Sequence, residues 1–102
     1  MKFRKKPPVV NAFQMTAERR NNNSDWPAFI LRALQIGYGK EGGLFVANHY
    51  YPGAGDEFAI WVPGESQVVS HGDYIVQGEN GELYSIRSDI FVAAYEPVEG
   101  EP

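Results

Sequence analysis

Apolar and polar residues alternate most regularly between residues 70 and 98, where Tyr74-Ile75-Val76-Gln77 and Leu83-Tyr84-Ser85-Ile86 flank Asn80-Gly81. An Asn-Gly pair takes positive φ at both central positions of a type I′ turn at little cost, so this stretch predicts a β-hairpin with a two-residue loop. In that register Glu79 faces Glu82, Gln77 faces Tyr84 and Ile75 faces Ile86. Tyr74, Val76, Leu83 and Ser85 then point to the other side of the sheet. The hairpin is a scaffold and supplies no active site by itself.

Earlier in the chain, residues 9–15 read as a first strand, rich in β-branched and large apolar side chains. Pro7-Pro8 just before it forbid central pairing there. Residues 18–23 form a polar loop. Trp26, Phe29, Ile30, Ala33 and Leu34 then fall on one helical stripe. Ser24 or Asp25 can cap this helix, Pro27 fits its first turn and Gly37 closes it. Residues 38–43 are a Gly-rich connector. It lacks the spacing of a phosphate-cradling loop and is followed by a strand pattern.

Residues 44–51, 58–62 and 67–69 read as strands, separated by Pro52-Gly53 and Pro63-Gly64 turns. Ser88-Asp89 starts a brief helical turn, residues 91–95 read as a last strand, and residues 99–102 as a frayed acidic tail. The expected fold is a single α+β domain over residues 1–98. It has a curved antiparallel sheet of about six strands, open or partly closed into a barrel, packed against one main helix. Its core is expected to hold Val10, Phe13, Phe29, Ile30, Leu34, Phe45, Phe58, Ile60, Ile75, Ile86 and Phe91.

Both ends of the chain carry a resemblance. Gly72-Asp73-Tyr74-Ile75-Val76, Gly81-Glu82 with Tyr84, Asp89-Ile90-Phe91 and Tyr95-Glu96-Pro97-Val98 resemble the ending of a family of small phage and prophage proteins. That family is named for a Pro-Gly-Asp-Tyr-Gly-like motif. Arg4-Lys5-Lys6-Pro7, Val9-Val10 and Phe13-Gln14 are similar to its opening. Residues 18–69 have no counterpart. His71 stands where the family usually has Pro, and Ser88 stands before Asp89 where Pro is common. The resemblance implies a related fold and a phage or prophage accessory gene. Because such proteins frequently bind and block something of the bacterial host, it also implies a counter-defence role. It supplies no catalytic set.

Composition narrows the chemistry. With 102 residues the chain can bury a core without staples, and with no cysteine it has neither disulfides nor thiolate metal sites, which suits a reducing cytoplasm. No apolar run approaches the ~18 residues that span a bilayer, and no apolar segment follows the basic N-terminus as in a signal peptide. The net charge of −4 is unevenly spread. Residues 1–32 hold seven Lys and Arg against two acids, and the remainder two against eleven. Such asymmetry can steer an anionic ligand to one side of a fold. An acidic chain without a helix-turn-helix or basic helix argues against duplex nucleic acid as a partner.

Candidate chemistry is sparse. A nucleophile–base pair needs His in reach of Ser or Thr, and only His49 and His71 are available. His71, with Asp73, is the candidate of an alternative reading as a small hydrolase or metal-binding protein, against the simpler role of a turn histidine. His49, Asp56, Glu57, His71 and Asp73 can meet from neighbouring loops, although no fixed-spacing metal motif is present. Glu79 and Glu82 are expected to be solvated. His49-Tyr50-Tyr51 cannot all enter one core if they lie on a strand, because neighbours alternate faces.

Arg4, Lys5, Arg19 and Arg20 are therefore candidate phosphate contacts, and Tyr50, Tyr51 and Trp61 candidate stacking groups. The first reading is a non-enzymatic homo-oligomeric binder that sequesters a small nucleotide immune signal, without cofactor or metal. The alternative in a second class is an inhibitor of a host enzyme through protein–protein contact.

Overall fold

A computed structural model of the chain describes residues 10–22, 25–64, 66–78 and 80–95. Along them run β1 (Asn11–Gln14), α1 (Ala17–Asn21), α2 (Ala28–Ile36), β2 (Leu44–Val46), a 3-10 turn (Ala47–His49), β3 (Phe58–Ile60), β4 (Gln67–Val69), β5 (Tyr74–Gln77), β6 (Leu83–Ile86) and α3 (Ser88–Ala94). The fold is α+β. Its six antiparallel strands form two three-stranded sheets, ordered β1-β5-β6 and β2-β3-β4, and these do not close into a barrel. The sheets meet where β4 lies near β6, and the Gln67 side-chain carbonyl accepts from the Ser85 N–H at 3.4 Å.

The core lies between the inner faces of the two sheets and α2. Period-2 alternation puts Leu44, Phe58, Ile60 and Val69 inward from one sheet, and Ile75 and Leu83 inward from the other. Phe29, Ile30 and Ala33 of α2 and Met15 complete the cluster. Ile30, Ile60 and Ile75 are fully buried. The helical stripe thus packs as its spacing predicts, with a correction at its start. Pro27 is the N-cap and makes no side-chain hydrogen bond, and Trp26 lies before the first turn. Trp26 still reaches the core edge, its ring 5.5 Å from that of Phe58 in a T-shaped contact, and its indole N–H donates to the Arg19 carbonyl at 2.9 Å.

The hairpin forms, with a register one residue away from the expected one. Gln77 pairs with Leu83, Val76 with Tyr84, Ile75 with Ser85 and Tyr74 with Ile86. The Gly78 N–H donates to the Glu82 carbonyl at 2.9 Å, and the Gly81 N–H to the Gly78 carbonyl at 3.1 Å. Three residues therefore lie between the paired positions. Gly81 has φ +85°, while no described non-glycine residue has positive φ, so Asn80 does not adopt the type I′ geometry. This is a three-residue loop with glycine at its left-handed last position. Because one residue of slip exchanges faces, Leu83 joins Ile75 in the core and Glu82 pairs with Gly78. Glu79 lies outside the described residues.

Three further expectations are corrected. Of residues 18–23, expected as a polar loop, 18–21 belong to α1, whose Thr16 cap hydroxyl accepts from the Arg19 N–H at 3.1 Å. Strand 44–51 stops at Val46, because Ala47 is fully buried and opens a 3-10 turn. Residues 91–95, expected as a strand, belong mainly to α3. Phe91 and Tyr95 sit one helical turn apart and stack at 4.7 Å, and Phe91 also stacks on Tyr74 at 3.9 Å. Phe91 therefore seats α3 against the outer face of the β1-β5-β6 sheet at Tyr74. Of the expected core, Val10, Phe13, Leu34, Ile86 and Phe91 are only half-buried. The tail and Ser24 lie outside the described residues, and no described helix is long and apolar enough to cross a membrane.

Candidate ligand-binding site

The outer face of the β2-β3-β4 sheet carries an aromatic surface. Phe45, Ala59 and Val68 are register partners, so their side chains share the face turned away from the core. Phe45 and Ala59 are buried there with Ala47, and Ala54 and Trp61 pack against them. Val68 is 51% exposed.

Because the chain leaves the strand at Ala47, Tyr50 and Tyr51 do not alternate. Both fold onto Phe45, with ring centroids at 5.2 and 6.0 Å. Tyr38 joins them from the Gly-rich connector. It stacks on Tyr50 at 4.3 Å with the rings 7° from parallel, and meets Phe45 edge-on at 5.1 Å. Such ring pairs contribute about 0.5–1.5 kcal/mol each beyond area burial.

Glycine makes this placement possible. The Gly37 carbonyl approaches Gly43 so closely that a Cβ at 43 has no room, and the connector therefore doubles back on itself. Gly43 continues the sheet by accepting from the Trp61 N–H at 2.9 Å. Tyr38 is thus held above Phe45 by backbone packing at its base.

The tyrosines remain 39–50% exposed. The Tyr51 hydroxyl lies 3.1 Å from the Ser66 hydroxyl. Tyr38 titrates above the ordinary tyrosine range, chiefly through its hydrogen bond to Tyr51 and next through the charge Tyr51 acquires on ionising. An open depression of about 510 Å³ borders Tyr38 and is lined by Arg32, Gln35, Ile36, Tyr38, Gly39 and Lys40. Among the described residues neither Arg32 nor Lys40 forms an ion pair. Two uncommitted cations therefore stand beside an exposed ring, an arrangement suited to an anion that carries a flat apolar group.

The residues singled out from sequence separate into two groups. Tyr50, Tyr51 and Trp61 lie together on this face. Arg19 and Arg20 are on α1 and are engaged elsewhere. The Arg19 guanidinium donates to the Gln14 carbonyl at 2.8 Å and lies 4.6 Å from the Phe13 ring. Arg20 donates to the Asp56 carbonyl at 2.9 Å and lies 4.4 Å from the ring of Phe58, an inward-facing residue. Arg4 and Lys5 lie outside the described residues.

Asp73 uses its carboxylate to accept from the Ser70 N–H at 3.0 Å, which fixes the turn in which His71 sits. Tyr38, Arg32 and Lys40 had no periodic or motif signal in the sequence. The one available cue was an aromatic between two glycines. Comparison with protein-family models, with curated proteins and with solved structures finds no match to this chain.

Proposed function

We propose that this is a non-enzymatic binding protein that holds a small nucleotide on the outer face of the β2-β3-β4 sheet. The base stacks on the Tyr38–Tyr50 pair, and the phosphate meets Arg32 and Lys40. The single observation that carries the reading is the juxtaposition of Tyr38, exposed and stacked, with two cations that have no described ion-pair partner. A stacking platform accepts any base, and one or two local cations suffice for a small phosphate even on an acidic chain. The resemblance of the chain's ends to phage and prophage proteins supplies the biological class. The ligand is a host nucleotide signal, and holding it in the host cytoplasm is a counter-defence.

Calorimetric titration with mononucleotides and cyclic dinucleotides tests this. Saturable binding is expected, weakened about tenfold or more by Tyr38→Ala, since loss of a stacked ring costs about 1–3 kcal/mol. Lys40→Glu is expected to weaken it further and to reduce its salt dependence. No heat with any nucleotide would remove the reading. A second reading, a protein partner, is favoured by the exposed Val68 alongside Tyr50 and Tyr51. It is the outcome if Val68→Glu abolishes capture of a stoichiometric host protein while nucleotides do not bind.

A further inference from the structure

We infer that Asp56, Glu57 and His71 form a binding site for a divalent transition-metal cation of the zinc class. The site is independent of the tyrosine face. One donor atom from each of the three side chains lies within 4.8 Å of the other two. The end of the β3–β4 pairing brings the two loops together. Phe58 pairs with Val69, so residues 56 and 57 enter β3 where residues 70 and 71 leave β4. The turn that bears His71 is closed by the Asp73 N–H donating to the Ser70 carbonyl at 3.0 Å, and by the Asp73 carboxylate accepting from the Ser70 N–H. Asp73 is thereby committed to the turn, and the imidazole of His71 is left as the nitrogen donor.

Two observations separate this trio from a chance gathering of surface charges. Among the described residues none of the three side chains makes a hydrogen bond or ion pair, and Arg20, the nearby cation, uses its Nε–H on the backbone carbonyl of Asp56. Two carboxylates thus share a small volume without an ion pair among the described residues. The second observation is the room made for Glu57. A Cβ built at Gly55 would lie 2.7 Å from Glu57 Oε2 and 2.9 Å from Oε1, so any larger residue there must displace the carboxylate. Gly55 is not among the residues with positive φ, so backbone conformation does not require glycine at this position.

The donor chemistry selects the ion. Two carboxylates and a neutral imidazole cancel the charge of a dication, and imidazole favours zinc over magnesium or calcium. Tetrahedral zinc with bonds of about 2.1 Å needs donors about 3.4 Å apart. Donor atoms that lie within 4.8 Å of one another reach that spacing by small rotamer changes, Asp56 and His71 being exposed and Glu57 half-buried. Three protein ligands leave one position for water.

The test uses the untagged full chain and zinc chloride, with magnesium chloride for comparison. Calorimetry should give saturable binding of one zinc per chain, with a rise in Tm and weaker binding of magnesium. His71→Ala and Asp56→Asn should each weaken zinc by more than the about 10–100-fold typical of losing a residue that only hydrogen-bonds to a ligand. Gly55→Val should weaken it through Glu57. His49→Ala should leave it unchanged. On the native chain, zinc should shift the ring signals of His71 and not those of His49, a readout that does not depend on any variant folding. Absence of saturable zinc binding, or equal binding by native chain and His71→Ala, overturns the site.

Discussion

Gly81, at φ +85°, holds a left-handed position that an L side chain adopts at a cost, and its neighbour Asn80 does not. Gly81→Ala should therefore destabilise the fold by about 1–2 kcal/mol. Asn80→Ala should stay within about 0.5 kcal/mol. Urea denaturation of the two variants measures the difference, and equal large losses would indicate a two-residue turn with both positions left-handed. The Asn-Gly pair made the hairpin legible in the sequence, but loop length depends on which backbone groups close the turn. Here Gly78 and Glu82 close it. Tyr38 was illegible for a related reason. Its role comes from Gly43 lying against the Gly37 carbonyl, a contact within a connector that has no periodicity. The cationic character of Arg19 and Arg20 was plain. Their seats over Phe13 and Phe58 follow from how α1 packs, which spacing does not encode.

Helix α3 shows how an element can be misread when its residues suit two periods. Ile90, Phe91 and Val92 favour a strand by composition, yet Phe91 and Tyr95 meet only on a helix. Phe91→Ala removes the rings' stack on Tyr74. It should cost roughly half of the about 3–5 kcal/mol of a fully buried phenylalanine, while leaving nucleotide affinity unchanged because α3 lies on the other sheet.

The same helix carries a pH effect. Tyr84 is raised above its ordinary value, first by burial and then by its hydrogen bond to Tyr95. The folded state then holds the phenolic proton more tightly than the unfolded chain does. This contribution to stability is complete below the ordinary tyrosine pKa of about 10 and is lost as pH rises through the folded value. Thermal melts from about pH 8 to 11 should show that alkaline decline, and Tyr84→Phe should make it shallower. In contrast to α3, α2 was legible almost to its last residue. Its apolar stripe is wide and continuous, and Ile30→Ala should cost about 2–5 kcal/mol.

At the scale of the molecule, the α+β class and the six strands followed from alternation and turn residues. Their division into two sheets did not, since alternation says which residues share a face and is silent on which strands are neighbours. That division decides the functional account. One sheet carries α3 against its outer face at Tyr74, and the other leaves Tyr38, Tyr50 and Tyr51 exposed over the buried Phe45, next to Arg32 and Lys40. Among the described residues, the basic N-terminal third contributes to this face through Arg32, while Arg19 and Arg20 are engaged elsewhere. Nuclear magnetic resonance of the native chain during titration with a mononucleotide and a cyclic dinucleotide locates the ligand directly. The account predicts shifts of the Tyr38 and Tyr50 ring signals together with the Arg32 side chain, while Arg19 and Arg20 stay still. Shifts confined to Arg19 and Arg20, or no shift at saturating nucleotide, would contradict it.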